Sequence, residues 1–69
     1  MDVKTIKNNF TYHPPTEGQI NKYQGLREYG LQLAEIINLI CPDSREKSLA
    51  LTKLEEAVMW ANAAIARNE

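Results

Sequence analysis

The 69-residue sequence predicts an all-α protein: an antiparallel two-helix hairpin preceded by a short N-terminal helix and assembled as a homo-oligomer. Three observations lead there. Two long stretches, Glu17 to Ile40 and Asp43 to about Arg67, lack proline and carry apolar residues at helical spacing. Only Cys41-Pro42 parts them, and so short a connection forces neighbouring helices to run antiparallel. The apolar stripes are wider than one partner helix covers, and a chain this small is marginally stable alone, so further copies are expected to bury the surplus. The whole chain, 1–69, reads as a single domain: an arm and connector over 1–15 and the hairpin over 16–69.

Val3, Ile6 and Phe10 fall at i, i+3 and i+7 behind Asp2, which predicts a short amphipathic helix capped by Asp2 and closed near Asn8-Asn9. Alone it is too short to persist, so it must dock. Thr11-Tyr12-His13-Pro14-Pro15 cannot continue it, because each proline fixes its own φ and restricts the residue before it to extended geometry. Thr16 and Gln19 form a capping box, with Pro15 and Ile20 placed as a hydrophobic staple.

The helix that follows carries Ile20, Tyr23, Leu26, Gly30, Leu33, Ile37 and Ile40 on one stripe, widened by Tyr29, Ile36 and Leu39. Gly25 and Gly30 each cost about 1 kcal/mol in a helix interior relative to Ala, which either a closely approaching neighbour or ligand offsets or the helix simply tolerates. Past Pro42, Asp43 is the expected cap of the last helix, with Glu46 three residues on as an acidic capping-box partner. Ala50, Leu54, Ala57, Ala61, Ala64 and Ile65 form its apolar stripe, flanked by Leu51 and Val58, while Trp60 and Leu49 point elsewhere.

A net charge of −1 and a pI of 5.8 argue against DNA or RNA as a partner, since nonspecific binding needs a basic face. No run approaches the roughly 20 apolar residues of a membrane span, and the first ten residues lack a signal-peptide core, so a soluble cytosolic protein is expected. Cys41 is alone and reads as a small buried hydrophobe rather than a reactive thiol. No metal site or cofactor is expected. Neither is an enzyme: one histidine, two serines in a helix start and carboxylates spread over helical faces make no nucleophile, base and orienter set.

Ligand binding is more plausible and centres on the connector. Tyr12 and His13 offer flat rings, Pro14 and Pro15 a rigid wall, and the helix start at Glu17 free amides, a combination suited to a purine bearing a phosphate. Arg27 shares a face with Tyr23 and could grip phosphate through two N–H groups, with Lys22 the competing point charge. The plainer reading makes Tyr12 a packed core aromatic and Arg27 a solvated surface charge.

A resemblance sharpens the choice. The run Phe10-Thr11-Tyr12-His13-Pro14-Pro15-Thr16, then Cys41-Pro42-Asp43-Ser44-Arg45-Glu46 and Ala57-Val58-Met59-Trp60-Ala61-Asn62-Ala63-Ala64-Ile65-Ala66, resembles the small bacteriophage anti-CBASS proteins. These share a helical hairpin domain with one class of phage anti-Thoeris proteins. The resemblance implies a sponge acting in the cytoplasm of the infected host, which binds cyclic di- and trinucleotide messengers such as cGAMP without cleaving them. It also implies homohexamers, with dinucleotide pockets between protomers and separate trinucleotide sites. On this chain it assigns base stacking to Tyr12 in the Tyr-His-Pro-Pro motif, phosphate contact to Arg27 or Lys22, and a second site to Asn62 and Arg67. Two alternatives stay open: a sponge for cyclic ADP-ribose-type Thoeris signals, and a helical oligomer that binds a protein partner and no small molecule.

Overall fold

Thr16 opens the hairpin as the sequence predicts. Its hydroxyl accepts the Gln19 N–H at 3.3 Å while the Gln19 side-chain oxygen accepts the Thr16 N–H at 3.1 Å. This closed capping box satisfies amides that a helix start leaves unpaired, and α2 runs over Glu17–Ile40. The computed structural model describes residues Met1–Glu69 and adds α1 over Val3–Asn9 and α3 over Arg45–Asn68. Asp2 caps α1, its carboxylate accepting the Lys4 N–H.

The start of α3 differs from expectation. Ser44, not Asp43, is the cap: its hydroxyl accepts the Lys47 N–H at 3.1 Å and donates to the Pro42 carbonyl at 3.0 Å. Asp43 is drawn off by the Lys47 ammonium, 2.9 Å from its carboxylate, and Glu46 is left one position short of the capping-box register. Lys47 also donates to the Asn38 carbonyl at 2.9 Å, and its side chain is only 11% exposed. One ammonium thus satisfies an unpaired carbonyl at the end of α2 and ties down the turn.

Gly30 faces Val58, and at the far end Gln19 and Lys22 meet Glu69, which fixes an antiparallel register between α2 and α3. A Cβ built on Gly30 would lie 2.9 Å from Val58 Cγ2, so close approach of α3 explains this glycine, whereas nothing lies within 4 Å of the same position at Gly25. The seam draws Tyr23, Leu26, Gly30 and Ile37 from the expected stripe of α2, plus Ala34. Ile20 and Ile40 turn outward, and Leu33 stays exposed on the edge of an open apolar groove beside the seam, shared with Leu54, Ala57 and Val58. On α3 the half-buried apolar positions are Leu51, Leu54, Val58, Ala61, Ala63, Ile65 and Ala66, while the expected Ala50, Ala57 and Ala64 stay exposed. The α3 stripe is therefore rotated toward the flanking set. The reason is size: Leu51 and Val58 gain more by burial than alanines do.

The protomer has no dry core, for none of its 69 residues is buried. Its radius of gyration is 15.1 Å, against about 11 Å for a compact chain of this length, and its extents are 44 × 30 × 12 Å. Its accessible surface of 5765 Å² exceeds the roughly 4,400 Å² of a compact monomer of this mass. Leu39, Tyr29 and Ile40 on α2 and Trp60 and Met59 on α3 are among the large apolar side chains left in the open. The arm adds to this surplus, since Val3 and Phe10 are 78% and 88% exposed and Ile6 is also open. The arm is tied to the hairpin by the Asn8 side-chain amide, which donates to the Arg67 carbonyl at 3.0 Å, rather than by its apolar face.

Candidate functional site

The antiparallel register gathers the connector, the start of α2, the end of α3 and the arm at one end of the rod. Around Tyr12 the backbone is pinned on both sides. The Thr11 hydroxyl donates to the Lys7 carbonyl, and His13 Nε2 lies 2.8 Å from the Asn8 carbonyl. A carbonyl oxygen only accepts, so His13 carries a proton on Nε2 and donates it. His13 is half-buried and committed to closing α1, not presented as a free ring. Tyr12, between these anchors and ahead of the two prolines, is 80% exposed. It is not the packed core aromatic of the plainer reading.

The two candidate cations differ in commitment. Lys22 Nζ lies 2.6 Å from the Glu69 carboxylate, which also receives the Gln19 side-chain amide at 3.5 Å. The hydrogen bond from Lys22, assisted by attraction to its charge, holds the Glu69 carboxyl below the usual glutamate range. The ion pairs of the chain join Lys22 to Glu69, Lys47 to Asp43 and Lys53 to Glu56, so Arg27 is in none of them. Arg27 lies on the rim of an open groove of about 270 Å³ along the seam, walled by Leu31, Ala34, Leu51 and Leu54 and shared with Glu55. That groove contains no connector residue, and Arg27 stands about 16 Å along the helix axis from the Thr16 cap at 1.5 Å per residue. Tyr12 and Arg27 are not brought into one cavity by a single chain.

Asn62 and Arg67 are likewise separated in environment. The Asn62 side-chain oxygen is buried with no hydrogen-bond partner. Arg67 sets its guanidinium 5.9 Å from the centroid of the Trp60 ring, at the outer limit of a cation–π contact. Arg67 also borders a polar groove of about 490 Å³ between α1 and the end of α3, with Lys4, Thr5, Asn8, Asn9 and Asn68. Lys4, Asn8, Gln19 and Glu69 were not among the candidate site residues: Asn8 and Gln19 stood only as helix-end residues, and the contacts of Asn8 to Arg67 and of Gln19 to Glu69 join opposite ends of the sequence. No group of three or more His, Cys, Asp or Glu side chains gathers where a metal could sit.

What fold and surface define as a class is a small helical hairpin domain with an aromatic presented at one end and an uncommitted guanidinium along its seam. The chain belongs to the Acb2/Tad1 hairpin-domain family, whose model matches residues 1–66. Membership supports a general role as a phage anti-defence sponge. No curated protein and no solved structure is significantly similar to the chain. No helix is long and apolar enough to cross a membrane.

Proposed function

We propose that the protein sequesters cyclic di- and trinucleotide second messengers of bacterial CBASS, cGAMP among them, in the cytoplasm of the infected host and without cleaving them. The observation that carries this reading is the hairpin-domain match over residues 1–66. Tyr12 stacks on a base, its exposed ring held on a pinned backbone that loses little freedom on binding. Arg27 meets a phosphate with its fork of N–H donors, and no acidic partner has to be stripped from it first. Because one chain holds the two residues apart, the pocket is completed between copies, Tyr12 of one protomer facing Arg27 of another. The surplus surface supports such assembly: the excess over a compact monomer is larger than the roughly 800 Å² each partner contributes to a standard interface. The assembly is a homo-oligomer, a hexamer by resemblance to the family, with Asn62 and Arg67 serving a second, trinucleotide site.

To deplete a messenger that it does not destroy, the protein must bind at about nanomolar strength, near −12 kcal/mol. The test is incubation with 3′,3′-cGAMP followed by heat denaturation and recovery of the nucleotide. Intact nucleotide, retained before heating and released after it, is the expected result; a hydrolysed product would make the protein a phosphodiesterase and overturn the reading. A second ligand class is favoured by one observation, that the matching model joins anti-CBASS and anti-Thoeris hairpins. Competition between 3′,3′-cGAMP and a cyclic ADP-ribose isomer for the same protein decides which signal it takes.

A further inference from the structure

The first turns of α2 hold a carboxylate with two donors, and the geometry of that grip says more than the ion pair alone. The Gln19 side-chain oxygen is already used, accepting the Thr16 N–H in the capping box. Its amide nitrogen is thereby turned outward as a donor, so what it receives is an acceptor atom and not a cation. Lys22, one turn on and on the same face, supplies the charge. Each holds a different oxygen of Glu69, Gln19 Nε2 facing Oε1 at 3.5 Å and Lys22 Nζ facing Oε2 at 2.6 Å. A carboxylate and a phosphate diester both present two oxygens in a fork.

We propose that Gln19 and Lys22 form a seat for a phosphate-type anion, and that Glu69 fills this seat in the ligand-free chain as a built-in competitor. That the natural occupant is the phosphodiester of a cyclic nucleotide rests on the function proposed above. The seat itself does not. Both partners of the Lys22 and Glu69 pair are substantially solvent-exposed, 55% and 39%, so the latch is weak enough for a ligand to open. The Tyr12 connector ends at Thr16, whose N–H is part of the same hydrogen-bonded cluster, and Lys22 stands about 140° round α2 from Arg27, so the seat and Arg27 lie on different faces of the helix. Lys22 then acts not as a rival to Arg27 for one phosphate but as a contact to a second one.

The experiment uses the full chain and inorganic pyrophosphate as the probe. The readouts are the side-chain amide resonances of Gln19 and the carboxyl carbon resonance of Glu69. Pyrophosphate is expected to shift both in the wild type. Glu69→Gln is expected to tighten pyrophosphate about two- to five-fold, the range an exposed ion pair can contribute. Lys22→Gln abolishes the response. Glu35→Gln makes the same charge change at a residue in no ion pair and leaves affinity unchanged. If the Gln19 amide does not move, or Glu69→Gln and Glu35→Gln bind pyrophosphate alike, the seat is refuted. Titration with 3′,3′-cGAMP separates the two ideas: binding without a Gln19 shift refutes the seat and spares the sponge, whereas a pyrophosphate response with no cGAMP binding refutes cGAMP as the captured signal and leaves an anion seat.

Discussion

Replacing Gly30 and Gly25 in turn by alanine separates two explanations of a helix-interior glycine within one helix. Each substitution gains about 0.5–1 kcal/mol from restricting the unfolded chain and favouring the helix. At Gly25 nothing opposes that gain inside the protomer, because no atom lies within 4 Å of the new Cβ. At Gly30 the new Cβ would sit 2.9 Å from Val58 Cγ2, and a β-branched valine in a helix has essentially one χ1 well and cannot swing away. The helices must part instead, at roughly the 1–3 kcal/mol typical of overpacking, which leaves Gly30→Ala less stable than wild type by up to about 2.5 kcal/mol. The assay is thermal and urea unfolding at one fixed protein concentration, since assembly makes apparent stability concentration-dependent. For a chain this small the two variants should differ in Tm by more than about 4 °C. Adding Val58→Ala to Gly30→Ala should recover part of the loss, a coupling of about 0.5–3 kcal/mol. Equal stabilisation by the two alanines would refute the close approach that sets the seam.

Tyr12→Ala with Arg27→Ala should lose cyclic dinucleotide binding by calorimetry while sedimentation shows the oligomer intact; undiminished affinity would move the pocket elsewhere. Lys47→Met should destabilise by about 0.5–1.5 kcal/mol in urea, because the exposed Asn38 carbonyl exchanges the Lys47 donor for water. Ser44→Ala should cost about 1 kcal/mol as a lost cap, and Asp43→Ala less, which reverses the order expected if Asp43 were the cap. Asp43 has its carboxyl held below the usual range by the hydrogen bond and charge of Lys47. A depressed folded pKa means that the stabilisation is present above the unfolded pKa and lost as pH falls through the folded one. The stability difference between wild type and Asp43→Asn should therefore be present at neutral pH and vanish at the acid end of a pH series.

What the sequence determined by itself is whatever depends on residues a few positions apart. The Thr16 and Gln19 box, the Asp2 cap, the break at Pro14-Pro15 and the two long helices follow from hydrogen bonds and steric limits that close within one turn. Even the misassigned cap of α3 missed by a single residue, because Asp43 had a local competitor for its carboxylate in Lys47. Tertiary structure alone decided the rest. Which side of α3 enters the seam depends on how Val58 meets Gly30, the arm is held because Asn8 reaches the Arg67 carbonyl, and Lys22 is engaged only because Glu69 arrives from the other end of the chain. These are choices between faces of similar apolarity and between equivalent charges, and they are settled by packing across the hairpin, where sequence separation carries no information about distance.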